Sequence, residues 1–408
     1  MRWQPTFALA IAGSFLASLL CAQTPLGPEI PVNQRHKGQQ WLAQVAAAPN
    51  GDFVVTWGSG SGPNLFAPSQ AWFRLFAADG TAKTPERRVS NIRGEKEGFP
   101  AVAMGPDGSF VIVWHSGGAR DTAVYGRRFG AAGQPLGDAF PLSAATDGSQ
   151  YDPAVDVAGD GSFVAVWLQG PEPRGERADV YFRRFDAAGH PLGPEVQVDP
   201  AAAGAEAVEP RVGVDESGSF AVGWLDSGNV FVERKLLAQR FTAAGAPLGS
   251  KFQVNTDVIA TISPLYDMDV AASGELVFVW TSFDADVVDV GILGRLFAAD
   301  GSPGTIFEVS AFDVHTQERP AVTFGRSGDF FAAWRSIGTP RTGNVLFVRR
   351  FAADGTPRGD KIEIVRSRHI GFDYPAVALD EAGRGVIAWT VFRFNGEIVA
   401  RRLVQALP

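Results

Sequence analysis

The stretch Asp107-Gly108-Ser109-Phe110-Val111-Ile112-Val113-Trp114 is the key to this chain, because a version of it occurs seven times. Each copy has a Gly, five further residues and then a Trp, at Gly51/Trp57, Gly108/Trp114, Gly161/Trp167, Gly218/Trp224, Gly274/Trp280, Gly328/Trp334 and Gly383/Trp389. Successive Trp residues of this set lie 57, 53, 57, 56, 54 and 55 positions apart. A fixed period of this length indicates an array of structural repeats.

Each repeat contains four short apolar runs, which in the second repeat are residues 101–104, 110–114, 124–129 and 139–142. The second run is β-branched and aromatic at alternate positions on both faces, which is typical of a strand covered on both sides. A pair such as Asp107-Gly108 precedes this run, and a Gly-x-Pro-Leu-Gly turn such as residues 189–193 separates the third and fourth runs. Such residues adopt the positive φ of tight hairpins. The pattern predicts four antiparallel strands per repeat.

Seven four-stranded units predict an all-β fold, a seven-bladed β-propeller, with an open solenoid as the alternative. The two ends of the repeat array favour the ring. The last repeat stops at Leu403 after three strands, while residues 25–33 match the turn and fourth strand at residues 191–199. We therefore expect a strand at about residues 25–33 to complete blade 7, and residues 23–408 to form a single propeller domain. The seven repeated Trp side chains should be structural and buried between blades.

The first 22 residues are predicted to be an export signal. Residues 7–20 form an apolar run of 14 residues, which is too short to cross ~30 Å of hydrocarbon but suits a signal-peptide core. Cys21 could instead be a lipid anchor, although the bulky Leu20 before it disfavours that interpretation. The chain has 1 Cys, which excludes a disulfide framework and a cysteine zinc site. No other segment is apolar enough to span a membrane, so we expect a secreted or periplasmic protein.

The overall charge argues against one class of partner. The chain has 44 acidic and 36 basic residues and a formal net charge of −8, which is the wrong sign for binding nucleic acid. A hydrophobic content of 45% with 47 Gly and 27 Pro also excludes wholesale disorder. These numbers fit a folded protein, which we expect to be a monomer.

The motifs Gly-Ser-Phe-Val-x-x-Trp and Arg-Arg-Phe-x-Ala-Ala-Gly-x-Pro-Leu-Gly resemble repeats of secreted bacterial β-propeller proteins that are largely uncharacterised. The resemblance covers residues 25–403, and the shared residues are structural. It implies a propeller and export, and it supplies no catalytic residue.

Length variation between the repeats concentrates in one loop. From the repeated Trp to the aromatic or Leu residue that ends the third run, the distances are 19, 15, 18, 17, 17, 17 and 14 residues. This loop, between strands two and three, should emerge at the same end as the loops between blades. Variable loops on a rigid scaffold often carry binding. We therefore predict ligand contacts on this face, from Trp41 and Tyr151 near the inter-blade loops and from Phe66, Phe283 and Asp284 after the repeated Trp residues.

Three histidines occupy equivalent inter-blade positions, since His36, His315 and His369 precede the next repeated Trp by 21, 19 and 20 residues. They would bind a metal if they converged, but the spacing of blades favours exposed loop histidines that contact a ligand. We therefore predict no metal and no cofactor.

Several acidic residues suggest alternative chemistry. Glu95, Glu97, Asp147 and Asp152 could supply the carboxylate pair of a glycosidase. The clusters Asp284, Asp286, Asp289 and Asp267, Asp269 lack a calcium-loop pattern, and we interpret them as solvated loop charges. No catalytic residue is assigned.

An Arg lies two residues before the end of the third run in six repeats, at Arg74, Arg127, Arg183, Arg295, Arg349 and Arg401, with Gln239 in the remaining repeat. A ring of guanidinium groups can recognise anions. Because the Arg recurs in nearly every repeat, a hydrogen bond or ion pair between blades is the favoured interpretation.

Two functions remain open from the sequence. The favoured hypothesis is a non-catalytic secreted propeller that binds a protein or a glycan through the variable loops. The alternative is a secreted carbohydrate-active hydrolase or lyase with its site at the mouth of the propeller channel.

Overall fold

The computed structural model describes residues 25–36, 38–60, 69–92, 97–117, 122–144, 148–170, 178–199, 207–226, 234–256, 266–284, 289–310, 316–339, 341–392 and 396–403. The predicted export signal, with Cys21, lies outside these ranges. Among the described residues, no helix has the length and apolar character needed to cross a membrane.

The only regular secondary structure among the described residues is the β-strand. Blade 1 consists of β2 (Gln39–Ala47), β3 (Phe53–Gly60), β4 (Ser69–Phe76) and β5 (Arg87–Arg88). Blade 2 consists of β6 (Glu97–Met104), β7 (Phe110–Gly117), β8 (Thr122–Phe129) and β9 (Phe140–Pro141). Blade 3 consists of β10 (Ser149–Val157), β11 (Phe163–Gly170), β12 (Asp179–Phe185) and β13 (Val196–Asp199). Blade 4 consists of β14 (Ala207–Val214), β15 (Phe220–Asp226), β16 (Lys235–Phe241) and β17 (Pro247–Gln253). Blade 5 consists of β18 (Tyr266–Val270), β19 (Leu276–Asp284), β20 (Asp289–Phe297) and β21 (Pro303–Glu308). Blade 6 consists of β22 (Thr316–Phe324), β23 (Phe330–Ile337), β24 (Asn344–Phe351) and β25 (Ile362–Ser367), and blade 7 of β26 (Gly371–Leu379), β27 (Gly385–Phe392), β28 (Glu397–Leu403) and β1 (Pro25–Pro31).

The blades are seven separate four-stranded antiparallel sheets, which confirms the seven-bladed β-propeller. In blades 1 to 6 the strands follow chain order outward from the axis, and in blade 7 the order outward is β26, β27, β28 and β1. The innermost strand of each blade packs beside the innermost strands of the neighbouring blades. We call β2, β6, β10, β14, β18, β22 and β26 the inner strands. Each inner strand begins at the variable-loop end and ends at a glycine hairpin, where for example Gly108 has a φ of 78°.

Blade 7 is closed by the N-terminal strand, as the sequence predicts. Its strand order is β1-β28-β27-β26, and Ile30 pairs with Ala400. Beyond β1, the Ile398 amide donates to the Asn33 side-chain oxygen at 2.7 Å. The first described residues therefore hold the last blade in place.

The seven repeated Trp residues are buried. Their exposed fractions are 1% for Trp57, 2% for Trp224 and 0% for Trp114, Trp167, Trp280, Trp334 and Trp389. Each lies in a hydrophobic cluster that joins two neighbouring blades: Trp224 between blades 3 and 4, Trp280 between blades 4 and 5, and Trp334 between blades 5 and 6, for example. The core thus lies between the blades, which confirms the structural role predicted for the Trp set.

Aromatic stacking supports this core near the glycine hairpins. The Phe that opens the second strand stacks on the Phe that closes the third, as in Phe163–Phe185, whose ring centroids are 4.8 Å apart. The same stacked pair occurs at Phe330–Phe351, with centroids 5.0 Å apart. The aromatic residues that recur in the sequence therefore pack on one another within and between blades.

The repeated Arg residues connect blades. Arg127 Nε donates to the Gly137 carbonyl of its own blade at 3.0 Å, and its Nη1 donates to the Val89 carbonyl of blade 1 at 2.9 Å. The same pair of bonds is made by Arg74, Arg183, Arg295 and Arg401. Gln239, the exception, donates to Gly249 of its own blade at 3.2 Å. For Arg349 the described bond is from Nε to the Gly359 carbonyl of its own blade, at 3.0 Å. The predicted hydrogen bond between blades is therefore confirmed for five of the six Arg residues.

Candidate functional site at the mouth of the central channel

The residues predicted to bind a ligand do not come together in one place. Phe66 and His315 lie outside the described residues, and for Phe283 and Asp284 the structure describes only the backbone pairing at the end of β19. Most of the variable loops to which they belong are likewise outside the described ranges.

Trp41 and Tyr151 require a correction. Both lie within inner strands, where Trp41 is 1% exposed and Tyr151 is 8% exposed. Such burial gives them a packing role, which does not fit the ligand contact predicted for them.

His36 and His369 are exposed on the loop side, as predicted. His36 Nδ1 lies 4.0 Å from Glu397 Oε1, and the His369 backbone amide donates to Ser367 Oγ at 3.3 Å. Among the described residues, no group of three or more His, Cys, Asp or Glu side chains is arranged to hold a metal ion.

The inner strands share a backbone irregularity that the sequence analysis does not anticipate. Six non-glycine residues have φ values between 49° and 55°, and each lies 15 positions before a repeated Trp: Leu42, Phe99, Asp152, Glu209, Arg319 and Tyr374. The register of each inner strand shifts at this point, which marks a β-bulge. The equivalent residue of blade 5, Leu265, is outside the described residues. We call the six residues the mouth ring.

The mouth ring lines the channel. A cavity of about 380 Å³ is bordered by residues of six inner strands, including Leu42, Phe99, Asp152, Glu209 and Tyr374. A smaller adjoining cavity of about 100 Å³ adds Arg319 from the seventh. Because every blade contributes, this space lies on the propeller axis. Its lining residues lie at and just after the mouth ring, in the middle of the inner strands.

The repeated Trp residues do not belong to this site. All seven lie on second strands, one layer out from the channel, and none of them borders either cavity: Trp57, Trp114, Trp167, Trp224, Trp280, Trp334 and Trp389. Where polar contacts of their ring nitrogens are described, they are internal, as when Trp334 Nε1 donates to Gln317 Oε1 at 2.8 Å. These residues are therefore part of the scaffold that carries the mouth ring.

Side chains around the mouth ring are grouped by type. Tyr374, Leu42 and Phe99, from the consecutive blades 7, 1 and 2, form an apolar arc. Asp152 and Glu209, from blades 3 and 4, form an acidic arc, and Arg319 comes from blade 6. The mouth thus offers an aromatic wall and polar groups across one cavity.

Two ion-pair groups fix the polar side of the mouth. Arg319 Nε lies 2.5 Å from Asp373 Oδ1, and its guanidinium carbon lies 4.5 Å from the Tyr374 ring centroid. Arg335 Nη1 lies 3.1 Å from Asp373 Oδ2, and Arg335 also pairs with Glu318. Burial raises the pKa of Asp373 and of Tyr374, and the Arg319 guanidinium opposes both shifts.

The second group centres on Arg211, whose Nε lies 3.6 Å from Asp267 Oδ1. Burial lowers the pKa of Arg211, but Asp267 and the other negative groups around it, including Glu209 and Asp152, outweigh burial and raise it. Burial raises the pKa of Asp267, against the pull of Arg211. The Tyr266 hydroxyl donates to the Glu209 carbonyl at 2.7 Å, which ties blade 5 to the mouth ring.

Asp267 and Asp269 are not solvated loop charges, which corrects that interpretation. Both lie on β18, and Asp269 Oδ2 accepts a hydrogen bond from the Phe324 amide of blade 6 at 2.7 Å. Asp156 does the same between blades 3 and 4, accepting from the Val214 amide at 2.7 Å. Burial raises the pKa of Asp156 to about 6; burial, with a contribution from Asp156, raises that of Asp269 to about 7. These carboxylates join inner strands of neighbouring blades.

The suggested glycosidase carboxylates are also separated. Glu97 is 1% exposed, accepts from the Ala71 amide at 2.9 Å and pairs with Arg88 Nη2 at 2.6 Å, so it is structural. Glu95 and Asp147 lie outside the described residues. Only Asp152 of that set is placed by the structure at the channel mouth.

A sequence signal for the mouth ring exists. In five repeats the residue 15 positions before the Trp precedes a Pro, while its own side chain changes from repeat to repeat. This position lies inside a segment of nearly constant length, so differences in loop length between repeats do not reveal it.

Comparisons with known proteins reveal similar folds and no family. No family model matches the sequence, and no curated protein matches it. Among solved structures, a Dyadobacter fermentans protein of unknown function is similar at a TM-score of 0.55 and 11% identity, covering 92% of this chain and 97% of that one.

Some of the other similar structures are carbohydrate-active enzymes, and one is a prolyl endopeptidase, with a TM-score of 0.51 at 17% identity over 91% of this chain and 47% of its own. An ulvan lyase, described as a polysaccharide lyase, has a TM-score of 0.57 at 10% identity over 92% of this chain and 94% of its own. The NanB sialidase of Streptococcus pneumoniae has a TM-score of 0.52 at 7% identity, over 93% of this chain and 70% of its own. At these identities the likeness establishes the propeller fold alone.

Proposed function

We propose that the protein binds a saccharide in the channel mouth, at the mouth ring. One observation carries this proposal: the positive-φ backbone is the same in six blades, while its side chain is different in each. A non-glycine residue in this conformation costs of order 1–2 kcal/mol, which Gly would avoid. Because no described blade uses Gly there, the proposal assigns these side chains a role beyond folding.

The chemistry of the mouth suits a sugar. Sugar rings present apolar faces and polar edges, and a site with aromatic side chains and a few placed polar groups complements both. The mouth supplies Phe99 and Tyr374 on one side and Asp152 and Glu209 on the other. The saccharide-directed enzymes among the similar structures support the proposal, since they use this fold.

Export forms part of the same proposal. A signal at residues 1–22 would direct the propeller out of the cytoplasm, where polysaccharides are met, and would be cleaved off during export. Edman sequencing or mass spectrometry of the protein recovered from the native host would test it, and an N-terminus at Met1 would contradict it.

The binding test uses a panel of neutral, acidic and amino polysaccharide fragments in isothermal titration calorimetry. We expect Phe99→Ala and Glu209→Gln each to weaken binding of the retained probe by about tenfold. Glu363→Gln is the matched control, because Glu363 lies on the outer strand β25 and is 43% exposed. Unchanged binding in both mouth variants, with loss after replacement of the loops that follow Trp57 and Trp167, would place the ligand on the variable loops.

Cleavage of the bound saccharide is the second candidate function. It is favoured by the three carboxylates around Arg211, which are Asp152, Glu209 and Asp267. Burial raises the pKa of Asp267, and a raised pKa is a property of general acids. New reducing ends would reveal hydrolysis, and ultraviolet absorbance of an unsaturated product would reveal a lyase. Asp267→Asn should abolish either signal while binding persists. Intact substrate after long incubation with the wild-type protein would leave binding as the function.

A further inference from the structure

The described inner strands carry many more acidic than basic side chains. The described inner strands contain no Lys or His and only two Arg, Arg211 and Arg319, against eight carboxylates: Glu97, Asp152, Asp156, Glu209, Asp267, Asp269, Glu318 and Asp373. Glu97 is matched by Arg88 from β5, and Glu318 by Arg335 from β23. Burial raises the pKa of Asp156 to about 6 and of Asp269 to about 7, so these two do not count as full charges. The other four carboxylates, Asp152, Glu209, Asp267 and Asp373, still outnumber the two inner-strand guanidiniums, so the channel wall is acidic.

The two guanidiniums of the inner strands already face carboxylates. Arg211 lies beside Asp267, and Arg319 contacts Asp373. An acidic sugar entering the mouth would therefore compete with carboxylates for both cations and would meet Asp152 and Glu209 on the same wall. Walls of one charge in a narrow cleft attract ligands of the opposite charge.

The apolar arc complements this charge. A cation near the face of an aromatic ring is attracted by the ring as well as by carboxylates. Phe99 and Tyr374 line the same cavity of about 380 Å³ as Asp152 and Glu209. The cavity therefore combines carboxylates, which attract an ammonium ion, with aromatic rings, which pack against the apolar part of the molecule that carries it.

We propose that the saccharide bound in the channel mouth is an amino sugar with a free ammonium group. This rests on the proposed function, and it narrows the ligand from sugars in general to polymers or fragments rich in unacetylated hexosamine. The ammonium lies toward Asp152 and Glu209, and the sugar ring lies against the apolar arc.

The test compares probes that differ in N-acetylation and therefore in charge. Glucosamine hexamer and N-acetylglucosamine hexamer have the same backbone, and acetylation removes the cation. In calorimetry at mildly acidic pH, we expect the glucosamine hexamer to bind about tenfold tighter, with an affinity that falls as salt is raised. Asp152→Asn and Glu209→Gln should reduce this preference, whereas Phe99→Ala should weaken both hexamers. Glu363→Gln, which removes one negative charge from the outer rim, should leave the preference intact.

The outcomes separate the two proposals. Equal or tighter binding of the acetylated hexamer, or of a polygalacturonate fragment, with the same dependence on Phe99, would overturn the amino-sugar inference and leave saccharide binding at the mouth standing. Equal binding of hexalysine and glucosamine hexamer would also overturn it, because charge alone would then explain the affinity. Failure of every saccharide to bind would overturn both.

Discussion

Two single variants, Arg127→Gln and Gln239→Arg, test how much the repeated Arg residues stabilise the propeller. Arg127→Gln keeps a donor that reaches the turn of its own blade, as Gln239 does for Gly249. It removes the bond from Arg127 Nη1 to the Val89 carbonyl of the neighbouring blade. The variant therefore isolates the contact between blades.

The expected loss follows from that contact. A hydrogen bond from a charged donor contributes about 1.5–3 kcal/mol, and the partial exposure of the site points to the lower half, about 2 kcal/mol. Unfolding entropy of about 2.1 cal/mol/K per residue, applied to residues 25–403, converts this into a fall in melting temperature of about 2–3 °C. The converse variant Gln239→Arg should reach the Val198 carbonyl of blade 3 and raise the melting temperature by about 1–2 °C.

Differential scanning calorimetry of both variants at one protein concentration provides the assay. Arg127→Lys serves as the control for charge, because an ammonium group cannot donate to both carbonyls in the fixed geometry of a guanidinium; we expect it to resemble Arg127→Gln. Shifts of the same sign in Arg127→Gln and Gln239→Arg would refute the reasoning.

Four further outcomes are expected. Trp167→Ala should lower the free energy of unfolding by about 3–5 kcal/mol, measured by denaturant titration; a change under about 1 kcal/mol would contradict its core role. Removal of residues 25–33 should lower the melting temperature and promote aggregation through the exposed edge of β28, as read by calorimetry and light scattering, and an unchanged monomeric midpoint would contradict closure. Asp152→Gly should be about 1 kcal/mol more stable than Asp152→Ala, because only the Ala variant places a Cβ at a φ of 49°; equal stabilities would show that the bulge is unstrained. Finally, Asp156 and Asp269 have pKa values of about 6 and about 7 against an ordinary 3.8, so they retain protons that the unfolded chain releases. The free energy of unfolding should therefore fall as pH rises from about 4 to about 7. Asp269→Asn should flatten this fall in a series of melting curves, and a free energy of unfolding that rises over that pH range would contradict the prediction.

The architecture could be predicted because it depends on repetition. The period of Trp57 to Trp389, the glycine hairpins and the fourth-strand match at residues 25–33 each report on backbone geometry that every blade must share. The role of Arg127 was predictable for the same reason, since a residue needed at each blade junction recurs.

The candidate site was harder to predict because its residue types differ from blade to blade. At the mouth ring the backbone conformation recurs and the side chain does not, so differences in loop length do not reveal Glu209 or Arg319. Asp267 and Asp269 alternate with apolar residues and resemble a solvated edge in sequence. Only the closing of the ring places such carboxylates inside a channel, where they accept amide hydrogen bonds from the next blade.

The closure of blade 7 also dictates an order of assembly. Asn33 bonds to Ile398, 365 positions later in the chain, so β1 has no partner while the ribosome is still making the intervening blades. Blade 7 can be completed only when the whole chain is available, because its strand β28 pairs with a strand from the start of the chain. Contacts of such long sequence separation are slow to form. We therefore expect the capture of β1 to be a late event in folding, with the edge of β28 left unpaired until it occurs.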